Sequence, residues 1–248
     1  MKKGTNGWRA SAVLLMCMML LMTSSPGVAQ DKQTEIATVN WSSPCLLYGA
    51  LETPRQDAWL FAIDLAEGAT QLLGAALPRS QVSGLAVHPD TLELVALVVN
   101  RTGQKVTTLA GVDAATGAMT PIGATEMDFG EGLSFRPTDA TLWAWWREHG
   151  LVRIDPETAA VELVLGGDLA VSALAWDPTG AVLYLAGNRS LWKFEDGYET
   201  FQLVLEPLPA LVGGLAMRGD GQLLLTEAAA EADGLDLLVL DPATGAVV

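Results

Sequence analysis

The sequence predicts an all-β fold built from one repeated unit, and three observations carry that prediction. A landmark recurs along the chain: Gly84-Leu85-Ala86-Val87-His88-Pro89-Asp90, Gly132-Leu133-Ser134-Phe135-Arg136-Pro137-Thr138-Asp139, Ala173-Leu174-Ala175-Trp176-Asp177-Pro178-Thr179-Gly180 and Gly214-Leu215-Ala216-Met217-Arg218-Gly219-Asp220-Gly221. A second landmark is a turn, seen in Asp113-Ala-Ala-Thr-Gly117, Asp155-Pro-Glu-Thr-Ala159 and Asp241-Pro-Ala-Thr-Gly245, with looser copies at Asp64–Gly68 and Glu195–Gly197. Between these landmarks lie short strand-like segments about ten residues apart, and no stretch holds helical periodicity over three turns.

The repeats start near 37, 84, 132, 173 and 214, with spacings of 47, 48, 41 and 41. Ala37-Thr38-Val39-Asn40 is a weak first copy, aligned through Leu47-Tyr48, which matches Leu183-Tyr184. Each repeat supplies four strands, a to d. Four strands per repeat of about 44 residues is the pattern of a β-propeller blade. A β-sandwich is the alternative, but its strands do not recur with the same turn chemistry at a fixed period. Blade 1 takes Ile36–Val39 as strand a. Thr91–Val99, Thr141–Trp146, Ala181–Ala186 and Gln222–Thr226 are strand b in the later blades, and Leu151–Ile154, Leu191–Phe194 and Leu235–Leu240 are strand c. In the turns, Asp accepts backbone N–H bonds, Pro presets φ, and the final Gly takes the left-handed conformation that starts strand d.

The expected count is about five blades, the last incomplete, because only Ala246-Val247-Val248 follow the final Asp turn. The alternative is a piece of a longer propeller of six to eight blades. An incompletely closed arc is expected, with Leu235–Leu240 as an exposed apolar edge prone to pair with other chains.

The first 29 residues read as an export leader rather than fold. Lys2, Lys3 and Arg9 precede a twelve-residue apolar run, Ser11–Met22; Ser24-Ser25-Pro26 break it, and Gly27-Val28-Ala29 offer small residues before a cut at Gln30. Twelve residues of helix span about 18 Å, short of a hydrocarbon core of about 30 Å. The expected organisation is a signal peptide over 1–29, a short leader over 30–35 and propeller repeats over 36–248, exported to the periplasm or outside the cell, with no stable membrane insertion after cleavage.

Charge and cysteine usage bound the partners. The formal net charge is −15, and losing three positive charges with residues 1–29 takes it to −18. So acidic a chain is poorly suited to nucleic acid or anionic lipid. Of the two cysteines, Cys17 leaves with the leader, and Cys45 beside Leu46-Leu47 reads as a small buried hydrophobe. No internal disulfide is then available, so the core must supply the stability.

The Gly-Leu-Ala-x-x-Pro-x-Gly and Asp-Pro-x-Thr-Gly landmarks make residues 36–248 resemble the secreted bacterial propellers with NHL-, YVTN- or gluconolactonase-like repeats. WD-repeat proteins are less similar, for their Trp-Asp and Gly-His pairs are absent. In such folds strand a lines the central channel and ligands sit on the face made by the d–a and b–c loops. The binding candidates there are Glu131, Arg147, His149, Asn188 and Asn100. Gluconolactonase-like propellers carry a metal-ligating Glu-Gly at the channel mouth, so the resemblance implies a divalent metal such as Ca²⁺ at Glu131-Gly132. The companion Asn and Asp ligands have no assignable counterparts here. His149 sits in Arg147-Glu148-His149-Gly150 at a hairpin tip, where it suits either solvated turn chemistry or acid–base work near neutral pH. His88 reads as a turn residue. Trp143 and Trp145 share one sheet face and Trp146 the other; packing between blades is preferred to ligand stacking. No Gly-x-Ser-x-Gly elbow, P-loop, dinucleotide fingerprint or His/Cys pair at metal spacing occurs. Two functional classes remain: an exported propeller that binds a protein, glycan or small molecule, and a metal-assisted hydrolase or lactonase.

Overall fold

The computed structural model describes residues 10–14, 39, 46–52, 56–101, 106–227 and 237–247. Its strands form five antiparallel sheets in sequence, with no helix among the described residues. Blade 1 holds β1 (Ala10–Leu14), β2 (Leu46–Glu52), β3 (Ala58–Asp64) and β4 (Ala69–Leu77). Blade 2 holds β5 (Ser80–Val87), β6 (Leu94–Asn100), β7 (Thr107–Val112) and β8 (Met119–Ala124). Blade 3 holds β9 (Gly130–Phe135), β10 (Leu142–Trp146), β11 (Gly150–Ile154) and β12 (Val161–Gly166). Blade 4 holds β13 (Ala173–Trp176), β14 (Val182–Gly187), β15 (Ser190–Glu195) and β16 (Gln202–Leu205). Blade 5 holds β17 (Val212–Met217), β18 (Leu223–Glu227) and β19 (Leu237–Leu240). This is a five-bladed β-propeller.

The two landmarks do the work the sequence assigns them. Leu85, Leu133, Leu174 and Leu215 lie on β5, β9, β13 and β17, all innermost and all buried. In the second landmark, Asp113 Oδ1 accepts the N–H groups of Ala115 and Thr116 at 3.0 and 2.9 Å, and Asp155 Oδ1 accepts those of Glu157 and Thr158 at 2.9 Å each. The turn then closes through Gly117 N–H onto Asp113 O, with Gly117 at φ 69°. Ala159 takes the same left-handed place in blade 3 at φ 63°, so the turn does not need glycine when its Asp and Thr bonds are made.

Glycine is needed where inner strands meet. A Cβ on Gly84 would stand 2.8 Å from Gly132 O, and one on Gly132 would stand 3.0 Å from Leu174 N. At these two positions neighbouring inner strands approach so closely that a Cβ would meet the next strand's backbone.

Alternation along each strand sends one side-chain set to each neighbouring blade. Trp143 and Trp145 face blade 4, where they pack with Leu174, Trp176 and Phe194, while Leu142 and Ala144 face blade 2. Leu223 and Leu225 pack toward blade 4, and Leu224 packs with Leu47 of blade 1.

Two expectations about blade 1 and closure need correction. Strand a of blade 1 is Ala10–Leu14, paired with β2 from Ala10↔Leu51 to Leu14↔Leu47, and not Ile36–Val39. Residues 36–38 lie outside the described residues; Val39 is buried but not in a strand. The ring also closes. The inner strands touch in the succession β1, β5, β9, β13, β17 and back to β1, and Leu47, Ala216 and Leu224 bury one another across the last seam. The closure rests on β1, which supplies blade 1 with the inner strand that lets it meet blade 5. The expected incomplete fifth blade is present: among the described residues β19 carries on its outer side only the bridge Leu240↔Val247, and Leu237 is exposed. Cys45 lies outside the described residues.

Candidate functional site

The d–a and b–c loops gather at one mouth of the ring, and all five predicted binding residues lie there. Blade 3 contributes most. β9 carries Glu131, opposite Trp145 of β10, and the β10–β11 hairpin carries Arg147, Glu148 and His149. Arg147 reaches back to pair with Glu131, whose side chain is only 12% exposed against 40% for Arg147. The guanidinium also lies over the Phe129 ring at 4.0 Å. The backbone fixes this arrangement, because Arg147 N–H donates to Phe129 O at 3.0 Å.

His149 stacks on Trp146, with ring centroids 4.0 Å apart and planes 20° apart. Its Nδ1 is 3.0 Å from Arg147 O. Trp146 Nε1–H donates to Asp128 at 2.9 Å, and this bond, with the backbone N–H groups of Phe129 and Asp128 as smaller causes, holds the Asp128 carboxyl below its usual value. The result is a half-exposed platform of Trp146, His149, Phe129 and Arg147, edged by Asp128 and Glu131.

The loop under the platform is held by a clasp that sequence reasoning missed. Thr107 is fully buried; its carbonyl accepts both the N–H and the hydroxyl of Thr125 at 2.9 Å, and its hydroxyl accepts Gly130 N–H at 3.2 Å. Met127 is buried between them. A lone Thr at the start of a strand carries no signal of this role, because its partners are 18 to 23 residues away.

Blade 2 has its own version. Arg101 bonds Glu52 at 2.9 Å and Gln81 at 2.6 Å, and its N–H donates to Arg79 O. Asn100 is exposed at the end of β6, paired in register with Ser80. In blade 4, Asn188 forms the β14–β15 turn at φ 52°, and Arg189 holds the carbonyls of Leu208 and Pro209 at 2.9 and 3.3 Å. An Arg therefore follows strand b in three consecutive blades, as Arg101, Arg147 and Arg189, each tied to a d–a loop or inner strand. The repeat alignment contains this pattern, in Asn100-Arg101, Trp146-Arg147 and Asn188-Arg189, but the signal lies outside the two landmarks. Asn100 and Asn188 belong to other blades than the platform.

Glu131, the metal candidate, spends its carboxylate on Arg147. Among the described residues no group of three or more His, Cys, Asp or Glu could hold a metal ion. His88 is a turn residue on the opposite face: its Nδ1 accepts the N–H groups of Asp90 and Thr91 at 3.2 Å.

No protein-family profile matches the chain, and no curated protein sequence does. Solved structures do match in fold. The nidogen/laminin complex superposes with a TM-score of 0.57 at 14% identity, covering 75% of this chain and 71% of that one. A structural genomics protein of unknown function from Bacteroides thetaiotaomicron VPI-5482 gives 0.57 at 18% identity, covering 81% of this chain and 54% of that one. An oligogalacturonate lyase in complex with manganese gives 0.44 at 15% identity over 82% and 72%. At such identities the likeness is one of fold: the chain is a β-propeller repeat protein.

Proposed function

We propose that this chain is an exported propeller of the NHL/YVTN/gluconolactonase-like kind that binds a ligand on its d–a/b–c face. The ligand docks on the blade 3 platform of Trp146, His149, Arg147 and Phe129. The observation that carries this reading is the contrast between the two faces. The opposite face spends its Asp and Thr residues on its own turns. The candidate face instead holds an aromatic and cationic surface in place from beneath, through Glu131, Asp128 and the Thr107 clasp. Preorganised aromatic and Arg groups suit the stacking and bidentate contacts of a glycan, a peptide carboxylate or a small anion. The alternative, a metal-assisted hydrolase, draws on Glu131, which Arg147 already engages.

Export is supported by the leader features of residues 1–29 and is tested by N-terminal sequencing of the exported protein, which should start near Gln30. Binding is tested by screening oligosaccharides and acidic peptides for a rise in melting temperature and for quenching of Trp146. A ligand whose effects vanish in Arg147→Ala/His149→Ala supports the site. A ligand that keeps both effects in that variant places binding elsewhere, and stoichiometric Ca²⁺ or Zn²⁺ in the purified protein would favour the hydrolase.

A further inference from the structure

Two groups of the platform have fixed hydrogen-bonding roles around one indole. Asp128 sits at the Nε1 edge of Trp146 and takes that N–H on Oδ1 at 2.9 Å. His149 covers a face of the same indole, with centroids 4.0 Å apart, and is itself exposed, so its far face meets solvent. The His149 Nδ1 lies 3.0 Å from Arg147 O. A carbonyl oxygen only accepts, so Nδ1 carries the proton and the neutral ring presents Nε2 as an acceptor. The Asp128 carboxyl, kept ionised by the Trp146 N–H and then by backbone N–H groups, is an acceptor as well. The platform therefore offers an open ring face beside two acceptors, with Arg147 as its donor. Such a surface suits a molecule that carries both an apolar face and several hydroxyl groups.

Charge limits the ligand from both sides. The charged groups around His149 are Arg147 and Glu148 on its own hairpin, Asp128 from the β8–β9 loop, and Asp168, next to the Gly167 whose N–H donates to His149 O at 3.0 Å. An anion would face the exposed carboxylates of Asp128, Glu148 and Asp168, in a chain of net charge −15. A cation would face Arg147, which is 40% exposed and lies over Phe129 at 4.0 Å. Arg147 and Glu131 pair with each other, so neither offers an uncompensated charge. We infer that the ligand of this platform is a neutral glycan, with one sugar ring against the exposed face of His149 and its hydroxyls bonded to Nε2 and to Asp128. This rests on the reading that the blade 3 platform is the binding site, and it names the ligand class for that site. The C–H face of a sugar ring buries apolar area on an aromatic ring, and its hydroxyls both donate and accept. An acidic sugar or peptide carboxylate brings acceptors and negative charge to a surface that already holds both.

The test measures dissociation constants, by tryptophan fluorescence and calorimetry, for four probe sets: neutral hexose and pentose oligosaccharides, oligosaccharides of uronic acids, a Glu-rich peptide and a Lys-rich peptide. Ordinary carboxylates titrate near about pH 4 and imidazoles near about 6.5. The other histidine, His88, is held in a turn on the opposite face. Between pH 7.5 and 5.5 the charge that changes beside the platform is thus that of an imidazole. A neutral glycan should keep its affinity to within about threefold across this range, because a hydroxyl can accept from a protonated Nε2 as well as donate to a neutral one. His149→Phe keeps a ring on Trp146 but removes Nε2, and should weaken that glycan by up to about tenfold, the worth of one hydrogen bond. Asp128→Asn keeps an oxygen for the Trp146 N–H and should weaken it less. Preferred binding of an acidic probe, tightening toward pH 5.5 and in Asp128→Asn, overturns the neutral-glycan inference and leaves the platform as the site. Preferred binding of the Lys-rich peptide, weakening under both changes, does the same. Binding unaltered in both variants, or no binding by any probe, overturns the platform reading and this inference with it.

Discussion

The seam between blades 3 and 4 and the seam between blades 5 and 1 use the same geometry with different material. At the first, Trp143 meets Trp176 edge-on at 5.2 Å, Trp145 meets Phe201 at 5.5 Å, and Leu151, Leu174, Leu183 and Leu185 fill the space between. At the second, β1 packs on β17, and among the described residues Leu47, Ala216 and Leu224 are buried together, with Ile63, Leu65 and Val239 partly covered. Closing a ring requires every seam to hold, but each buries its own area and contributes accordingly. Among the described residues, the seam beneath the platform is built on aromatic rings and the closing seam on aliphatic side chains. An aromatic seam under blade 3 holds the candidate surface in place, whereas the closing seam joins strands from opposite ends of the described chain.

The largest test of this contrast is Trp145→Ala. Removing a fully buried Trp should cost about 3–5 kcal/mol, read as a lower urea midpoint. For a chain of this size that corresponds to a melting temperature lower by roughly 10 °C. Trp145 Nε1–H is buried with no hydrogen-bond partner, so Trp145→Phe should cost less than half as much. Equal losses for both would mean that the indole volume is not what stabilises the seam. Leu224→Ala, at the closing seam, should cost about 2–5 kcal/mol. Its signature is local: amides of β2 and β17–β19 should exchange faster while those of β9–β15 do not. Uniform acceleration across all five blades would show that the ring opens as one unit and that the two seams are not distinct.

Much of this fold was legible in the sequence, because a repeated turn constrains four strands at once. Asp113, Asp155 and Asp241 with their Thr partners marked the c–d hairpins, and the Leu of the first landmark marked each inner strand. The tryptophan faces followed from alternation alone. Blade 1 was not legible. Its inner strand was assigned by period to Ile36–Val39, while the structure seats Ala10–Leu14, and a period cannot report a strand supplied from outside the repeat. The unsealed arc was a consequence of the same assignment. The site was legible as a face but not as a cluster. Loop topology placed Glu131, Arg147, His149, Asn100 and Asn188 on one mouth. The Glu131–Arg147 pair, the Arg147–Phe129 contact and the Thr107 clasp join residues across loops, and only tertiary structure brings them together.

A third test asks whether the platform's surface can change without weakening the aromatic seam beneath it. Arg147 is 40% exposed, so its ion pair with Glu131 is screened by solvent, and Arg147→Ala should cost no more than about 1 kcal/mol. The same substitution should abolish the response to any ligand that stacks on Trp146 and His149. A loss of several kcal/mol would instead make Arg147 a structural clasp of blade 3 and move it out of the binding role.

The smallest effect concerns the turns that all regions share, and it separates them from the seams by pH. The Asp113 carboxyl is held below its ordinary value of 3.8 by the backbone N–H of Thr116 first, then by the Thr116 hydroxyl and the Ala115 N–H. Asp155 is held down by the N–H groups of Thr158 and Glu157, and Asp241 by the Ala243 N–H and the Thr244 hydroxyl. In each case the folded value lies below the unfolded one. Their stabilising contribution is thus complete above the unfolded value and is lost as pH falls through the lowered folded values. These carboxylates are fully exposed, so each contribution is small; the prediction concerns the slope. Asp113→Asn/Asp155→Asn/Asp241→Asn keeps an acceptor oxygen in each turn but removes the titration. Its melting temperature at pH 7 should lie slightly below that of the unaltered protein, and the gap should narrow below pH 4, where the unaltered turns protonate. Trp145→Ala should show no such convergence, because its loss is apolar. If the triple variant and the unaltered protein keep a constant gap from pH 7 to pH 2, the turn carboxylates do not couple folding to pH.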